Sequence, residues 1–173
     1  YAVVGVIDTG IADNDVLRPW VAGGIEFIQD DLQQERNHGT FIAGLLAHAT
    51  QINNDKFIKE APCKIFDIDL FPTFSFEEFY SNGFIDFLKQ LDDYLPEVKA
   101  KGIKILNMSL NLVSCVNDQS YSLYADFLDK MSKKHGVIFV LSAGNLQPKL
   151  ARDEWPVDKV DALKQLAEYP YQG

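Results

Sequence analysis

Val3-Val4-Gly5-Val6-Ile7-Asp8-Thr9-Gly10 is the stretch from which the fold is read. Its β-branched residues, uninterrupted by polar ones, read as a short strand buried on both faces, the kind found inside a parallel sheet. The run ends on a carboxylate followed by Thr-Gly, which turns the chain. A charged aspartate buried at a strand end is costly unless another group pairs with it, so the remaining sequence must supply a partner for Asp8.

Outward from this strand, residues 11–19 are polar and aspartate-rich and read as loop. Asp13-Asn14-Asp15 lacks the glycine and distal glutamate of a calcium loop. Gly24-Ile25-Glu26-Phe27-Ile28 alternates like a short strand, and residues 29–36 form a polar loop. From Asn37-His38-Gly39-Thr40 onward, Ile42, Leu45, Leu46 and Ala49 recur at helical spacing, which places His38 in the first turn of a buried helix. Residues 64–70 read as a strand. Its Asp67-x-Asp69 fits simple strand alternation better than the magnesium-binding carboxylate pair of a phosphatase.

Phe84, Leu88, Leu91 and Leu95 mark a second helix, which Pro96 is expected to end or kink. Residues 103–110 form a strand with polar Asn107 and Ser109 at its carboxyl end. Leu123, Phe127 and Met131 mark another helix, stopped by His135-Gly136. Val137-Ile138-Phe139-Val140-Leu141 is the strongest buried-strand run and leads into Ser142-Ala143-Gly144-Asn145. Residues 157–168 again read as helix. Strand and helix alternate throughout, so the fold class expected is α/β with a mainly parallel sheet flanked by helices. Sites in such folds lie outside the carboxyl ends of the strands, where Asp8, Asn107 with Ser109, and Asn145 all fall.

Composition narrows the function. The 173 residues are 47% hydrophobic and 12% aromatic, which suits one ordered domain or most of one. A net charge of −9 makes a nucleic-acid backbone a poor partner. Cys63 and Cys115 are too few for a disulfide framework. No apolar run has the length of a membrane span. Because Tyr1 opens directly into a strand, the chain is expected to be part of a longer protein.

Three histidines could partner Asp8. His48 near a helix end and His135 at a helix stop read as structural, the latter complementing a helix dipole. His38 stands at a helix start beside a glycine that permits close backbone approach. A carboxylate accepting from its Nδ1–H would leave Nε2 as a base. Asn145, at a tight strand exit, either makes the turn or presents its side-chain N–H₂ to an oxyanion.

Val-Ile-Asp-Thr-Gly at 6–10, Asn-His-Gly-Thr-x-x-Ala-Gly at 37–44, Asn-Met-Ser-Leu at 107–110 and Ser-Ala-Gly-Asn at 142–145 together resemble the subtilisin-like serine proteases, in the family's order and spacing. The resemblance implies a three-layer subtilisin-like fold, with residues 1–173 as part of one catalytic domain that stops short of the nucleophile. It implies Asp8 and His38 as two members of an Asp-His-Ser triad and Asn145 as the oxyanion donor. Ser109, Leu110 and Asn111 would pair with an extended substrate, and Ala143 and Gly144 would wall the pocket before the scissile bond. It implies a polypeptide substrate and an inhibitory pro-segment as partners, with no nucleic acid, no membrane span in this chain and no cofactor needed for the chemistry. Calcium, common in the family, has no recognisable loop here.

The sequence departs from the family pattern at three places. Phe41 replaces a frequent second histidine. Asn111-Leu112 stand where glycines usually follow Ser-Leu. No Gly-Thr-Ser occurs, and no serine at all follows Asn145. The 173 residues alone are therefore expected to be inactive. A degenerate, non-catalytic binding or scaffolding relative is the alternative reading, against which the joint retention of Asp8, His38 and Asn145 speaks. Nucleotide binding is disfavoured because no phosphate-binding glycine motif is present.

Overall fold

A computed structural model describes residues 1–29, 33–53, 63–110 and 121–142, with side chains of 49–53 excepted. Five strands, β1 (Val3–Asp8), β2 (Val21–Glu26), β3 (Lys64–Asp69), β4 (Ile105–Met108) and β5 (Ile138–Leu141), form one parallel sheet in the order β2-β3-β1-β4-β5. The opening stretch thus runs through the middle, hydrogen-bonded to β3 on one side and β4 on the other, and Gly5 through Gly10 are buried.

Alternation along the strands divides two cores. On one face Val6 and Ile65 pack with Leu17, Ala43 and Ala47, the latter two from helix α1 (Asn37–Asn53). On the other, Ile7, Phe66, Ile68, Leu106 and Met108 meet helices α3 (Phe84–Ala100) and α4 (Leu123–His135), which follow a short helix α2 (Phe76–Phe79). Phe87, Leu88, Leu91, Leu95 and Val98 supply the buried stripe of α3. The result is a three-layer α/β architecture. α4 starts on Ser122, whose hydroxyl accepts from the Tyr124 N–H, and stops at Gly136 with φ +68°. Buried His135 accounts for its own position by a 2.6 Å contact from Nε2 to Asp92 Oδ1, which ties α4 to α3.

Several elements differ from the sequence reading. β2 begins three residues earlier than Gly24 and ends at Glu26, because Val21 already pairs with Ile65 across a register shift. Pro96 does not end α3, which continues to Ala100. One missing N–H is tolerated where Val98 still buries its side chain and Lys101 N–H reaches the Glu97 and Val98 carbonyls. Among the described residues β5 is the edge strand of the sheet and is not buried, with Ile138 62% and Val140 48% exposed. Its apolar run packs mainly through Phe139, which joins the α3–α4 core.

Candidate active site

Two chain ends converge on the carboxyl edge of the sheet. Asp8 closes β1 and is fully buried, while His38 enters the first turn of α1 with half of its side chain exposed. His38 Nδ1 lies 2.9 Å from both carboxylate oxygens of Asp8. A carboxylate only accepts, so Nδ1 carries the proton, and in a neutral ring Nε2 is then the nitrogen with the free lone pair. The Thr9 N–H also donates to Asp8 Oδ1 at 2.8 Å. Asp8 therefore has the partners its burial demands, and the pairing read from sequence is a real contact.

The helix start is pressed against the β1 turn at Gly39. A Cβ there would stand 2.2 Å from the Gly10 carbonyl oxygen, so only glycine fits. The Gly39 N–H donates to Thr9 Oγ1 at 3.2 Å. Thr40 Oγ1 accepts from the Ala12 N–H and donates to the Arg36 carbonyl, fastening α1 to the loop leaving β1. Together these hold the His38 backbone against the segment that carries Asp8.

A second layer of polar residues surrounds the pair, and sequence reasoning did not pick it out. Asp67 and Asp69 share the face of β3 that Asp8 occupies on β1, since Val6 pairs with Asp67 and Asp8 with Asp69. Their alternation is real, but the face is interior rather than solvated. Asp69, 2% exposed, accepts from Arg36 Nη2 at 3.1 Å and from Gln34 Nε2 at 3.1 Å. Burial pushes its carboxyl up to about 6, with Arg36 and Gln34 pulling the other way. Asp67 Oδ2 accepts from the Ile11 N–H at 2.9 Å, whereas Oδ1 is buried without a partner among the described residues. Burial, reinforced by Asp69 and Asp8, pushes the Asp67 carboxyl up to about 7 against the Ile11 N–H and Arg36.

That shift has a sign. With a native value above the ordinary 3.8, folded Asp67 keeps a proton that the unfolded chain releases, so stability falls as pH rises from about 4 to about 7. Asp67→Asn should therefore leave thermal stability nearly unchanged at pH 3, where the carboxyl is protonated in folded and unfolded chain alike and amide and neutral carboxyl leave the same position unpartnered. At pH 8 it should raise stability by about 1–3 kcal/mol, the neutralised charge less the cost of an unpaired N–H. Unfolding midpoints of both proteins at the two pH values measure the difference.

The remaining sequence candidates lie partly in view. β4 runs beside β1 with Asn107 opposite Val6, so the chain leaves β4 at Ser109 level with Asp8. Ser109 Oγ donates to Asn107 Oδ1 at 3.0 Å, and Leu110 packs partly into the α3–α4 core. Asn111, Ala143, Gly144 and Asn145 lie outside the described residues. The Ser142 N–H donates to the Met108 carbonyl, so β5 leaves the sheet at this same edge.

Asp13 and Asp15 are not arranged for calcium. Both turn to Arg18, at 2.9 and 2.8 Å, and Asn14 Oδ1 accepts the Val16 and Leu17 N–H groups of the turn. Among the described residues no three of His, Cys, Asp and Glu converge as metal ligands, and no helix is long and apolar enough to cross a membrane.

Comparison with known proteins gives the family. The family model described as the subtilase family, Peptidase_S8, matches residues 2–168. No curated protein matches the sequence. Among solved structures, the prenylagaramide maturation protease PagA is similar at 14% identity and a TM-score of 0.50, over 83% of this chain and 46% of its own. MycP1 with its N-terminal propeptide removed is similar at 14% identity and a TM-score of 0.50, over 93% of this chain and 48% of its own. The chain thus spans about half the length of these structures, and at such identity the likeness is one of fold.

Proposed function

The chain belongs to the subtilase family, and from that premise we propose that the intact protein is a serine endopeptidase in which Asp8 and His38 are the acid and base of an Asp-His-Ser triad. The observation that carries this reading is the 2.9 Å contact of buried Asp8 with Nδ1 of a histidine whose side chain is half exposed. The nucleophilic serine belongs to sequence beyond these 173 residues.

In this reading the serine hydroxyl proton passes to His38 Nε2 as the oxygen attacks the peptide carbonyl. Asp8 holds the imidazole in the required tautomer and stabilises the imidazolium. The Asn145 side-chain N–H₂ stabilises the oxyanion, a role worth roughly 2.7–4 kcal/mol where it has been measured in subtilisin. His38 then returns the proton to the leaving amine, and water repeats the sequence on the acyl-enzyme. Ser109, Leu110 and Asn111 align the substrate backbone beside β4, while Ala143 and Gly144 bound the pocket preceding the scissile bond. None of these steps requires a cofactor. An inhibitory pro-segment, itself a polypeptide, would compete for the same cleft.

A fluorophosphonate probe tests the assignment. The intact protein should be labelled at one serine beyond residue 173, and His38→Ala should abolish labelling. The 173-residue chain alone should not react. Labelling of that short chain at a defined residue, or an intact protein that neither reacts nor cleaves peptides, would sink the proposal.

A further inference from the structure

We propose that Gln34 is a positioning residue that sets the geometry of the Asp8–His38 pair; this rests on the roles just assigned to those two residues. Gln34 precedes His38 by four residues and is 7% exposed. Its two Nε2 hydrogens are shared among three acceptors within reach, the Thr9 carbonyl at 3.0 Å, Asp69 Oδ1 at 3.1 Å and the Phe71 carbonyl at 2.9 Å. Its Oε1 accepts from the Thr73 N–H at 3.0 Å and from the Thr73 hydroxyl at 3.1 Å. The Glu35 N–H in turn donates to Thr73 Oγ1. One carboxamide thereby joins three segments: the peptide next to Asp8, the exit of β3, and the stretch leading to His38.

The chemistry demands an amide. Two backbone carbonyls fix which end carries nitrogen, and a backbone N–H fixes which end carries oxygen. A carboxylate of the same length has no hydrogen to give the carbonyls, and an ammonium group has no lone pair for Thr73. The Phe71 N–H meanwhile donates to the Asp8 carbonyl, so the β3 exit that Gln34 grips also holds the backbone of Asp8.

Apolar packing does not do this work instead. Gln34 itself is buried, but Glu35, Arg36 and Asn37 line a cleft of about 940 Å³ with Ile11 and Asp67, so the stretch borders open space. Its placement rests on hydrogen bonds and on the Arg36–Asp69 ion pair, which is nearly buried on the carboxylate side. Loss of the Gln34 contacts frees the approach to His38 while both cores stay packed.

The test uses the intact protease with Gln34→Ala and the equal-volume Gln34→Glu. A misplacement approaching an ångström costs up to about 100-fold in rate, so kcat should fall about 10- to 100-fold in both variants with KM within twofold. The Gln34→Glu deficit should shrink as pH falls, because a protonated carboxyl regains one donor. The far-downfield proton resonance of His38 Nδ1–H, which reports the contact with Asp8 without any turnover, should broaden or shift in both.

Val98→Ala, in the α3 core, serves as the control for lost stability. Wild-type kcat and an unmoved His38 resonance in the Gln34 variants would overturn the proposal. So would a kcat loss no larger than that of Val98→Ala at equal thermal destabilisation. Should the intact protein prove inactive, the proteolytic reading fails on its own. The resonance then decides the positioning role, upholding it if moved by Gln34→Glu and refuting it if not.

Discussion

Asp8→Asn in the intact protein should, on the proposed triad roles, lower kcat by roughly 10⁴-fold, the loss seen when the buried aspartate of a Ser-His-Asp triad becomes asparagine. Both carboxylate oxygens lie 2.9 Å from His38 Nδ1, so the imidazole has one tautomer available while position 8 is a pure acceptor. An amide ends that constraint. Its N–H₂ can donate to Nδ1, which moves the proton to Nε2 and removes the base from the side facing the serine. The imidazolium formed during attack also loses its counter-charge.

Stability should move little, because the amide keeps an oxygen for the Thr9 N–H and removes a fully buried charge. The discriminating result is thus a large fall in kcat with an unfolding midpoint within a few degrees of wild type. The Asp8→Asn, His38→Ala double variant should be no slower than His38→Ala alone, because the two groups act as one unit.

Gly39→Ala should be the most damaging small substitution near the site. The added methyl would stand 2.2 Å from the Gly10 carbonyl oxygen and 3.0 Å from its carbon, and both are backbone atoms. No side-chain rotation relieves that overlap. Either the first turn of α1 lifts away from the loop after β1, or that loop moves, and both carry one member of the Asp8–His38 pair with them. The expected cost is about 3 kcal/mol or more, the upper end for overpacking. The unfolding midpoint checks the stability loss, and kcat should fall alongside it because the Thr9 and Thr40 contacts that seat the helix are broken together.

These two positions were also among those most legible in the chain. A β-branched run ending in aspartate defines a buried strand by local composition, and helical recurrence after residue 37 places His38 by periodicity. Both signals are carried by neighbours in sequence. Gln34, Arg36 and Asp69 were not legible, because their partners lie 25 to 39 residues away and a polar loop looks the same whether it faces water or a carboxylate.

Asp67-x-Asp69 showed true alternation, yet the polar face of β3 turned inward toward Asp8 and Arg36. The β5 run failed for the opposite reason. Hydrophobicity marks a strand fit for burial, but an edge position is a property of topology, and Ile138 and Val140 are left open. Pro96 misled because a proline costs a helix one hydrogen bond, which the buried Leu95 and Val98 around it offset.

The central place of β1 carries a consequence for how the protein is made. Val3 pairs with Lys64 and Val4 with Ile105, separations of 61 and 101 residues. β1 is therefore made before both of its neighbours, and each pairing closes a long loop before it yields any contact. A nascent chain must carry an exposed apolar strand through the synthesis of most of the sheet, the kind of interval in which chaperones bind and aggregation begins. Asp8 meets Asp69 and the Phe71 N–H at the exit of β3 and His38 from α1, so its surroundings form only after segments made well behind it in the chain.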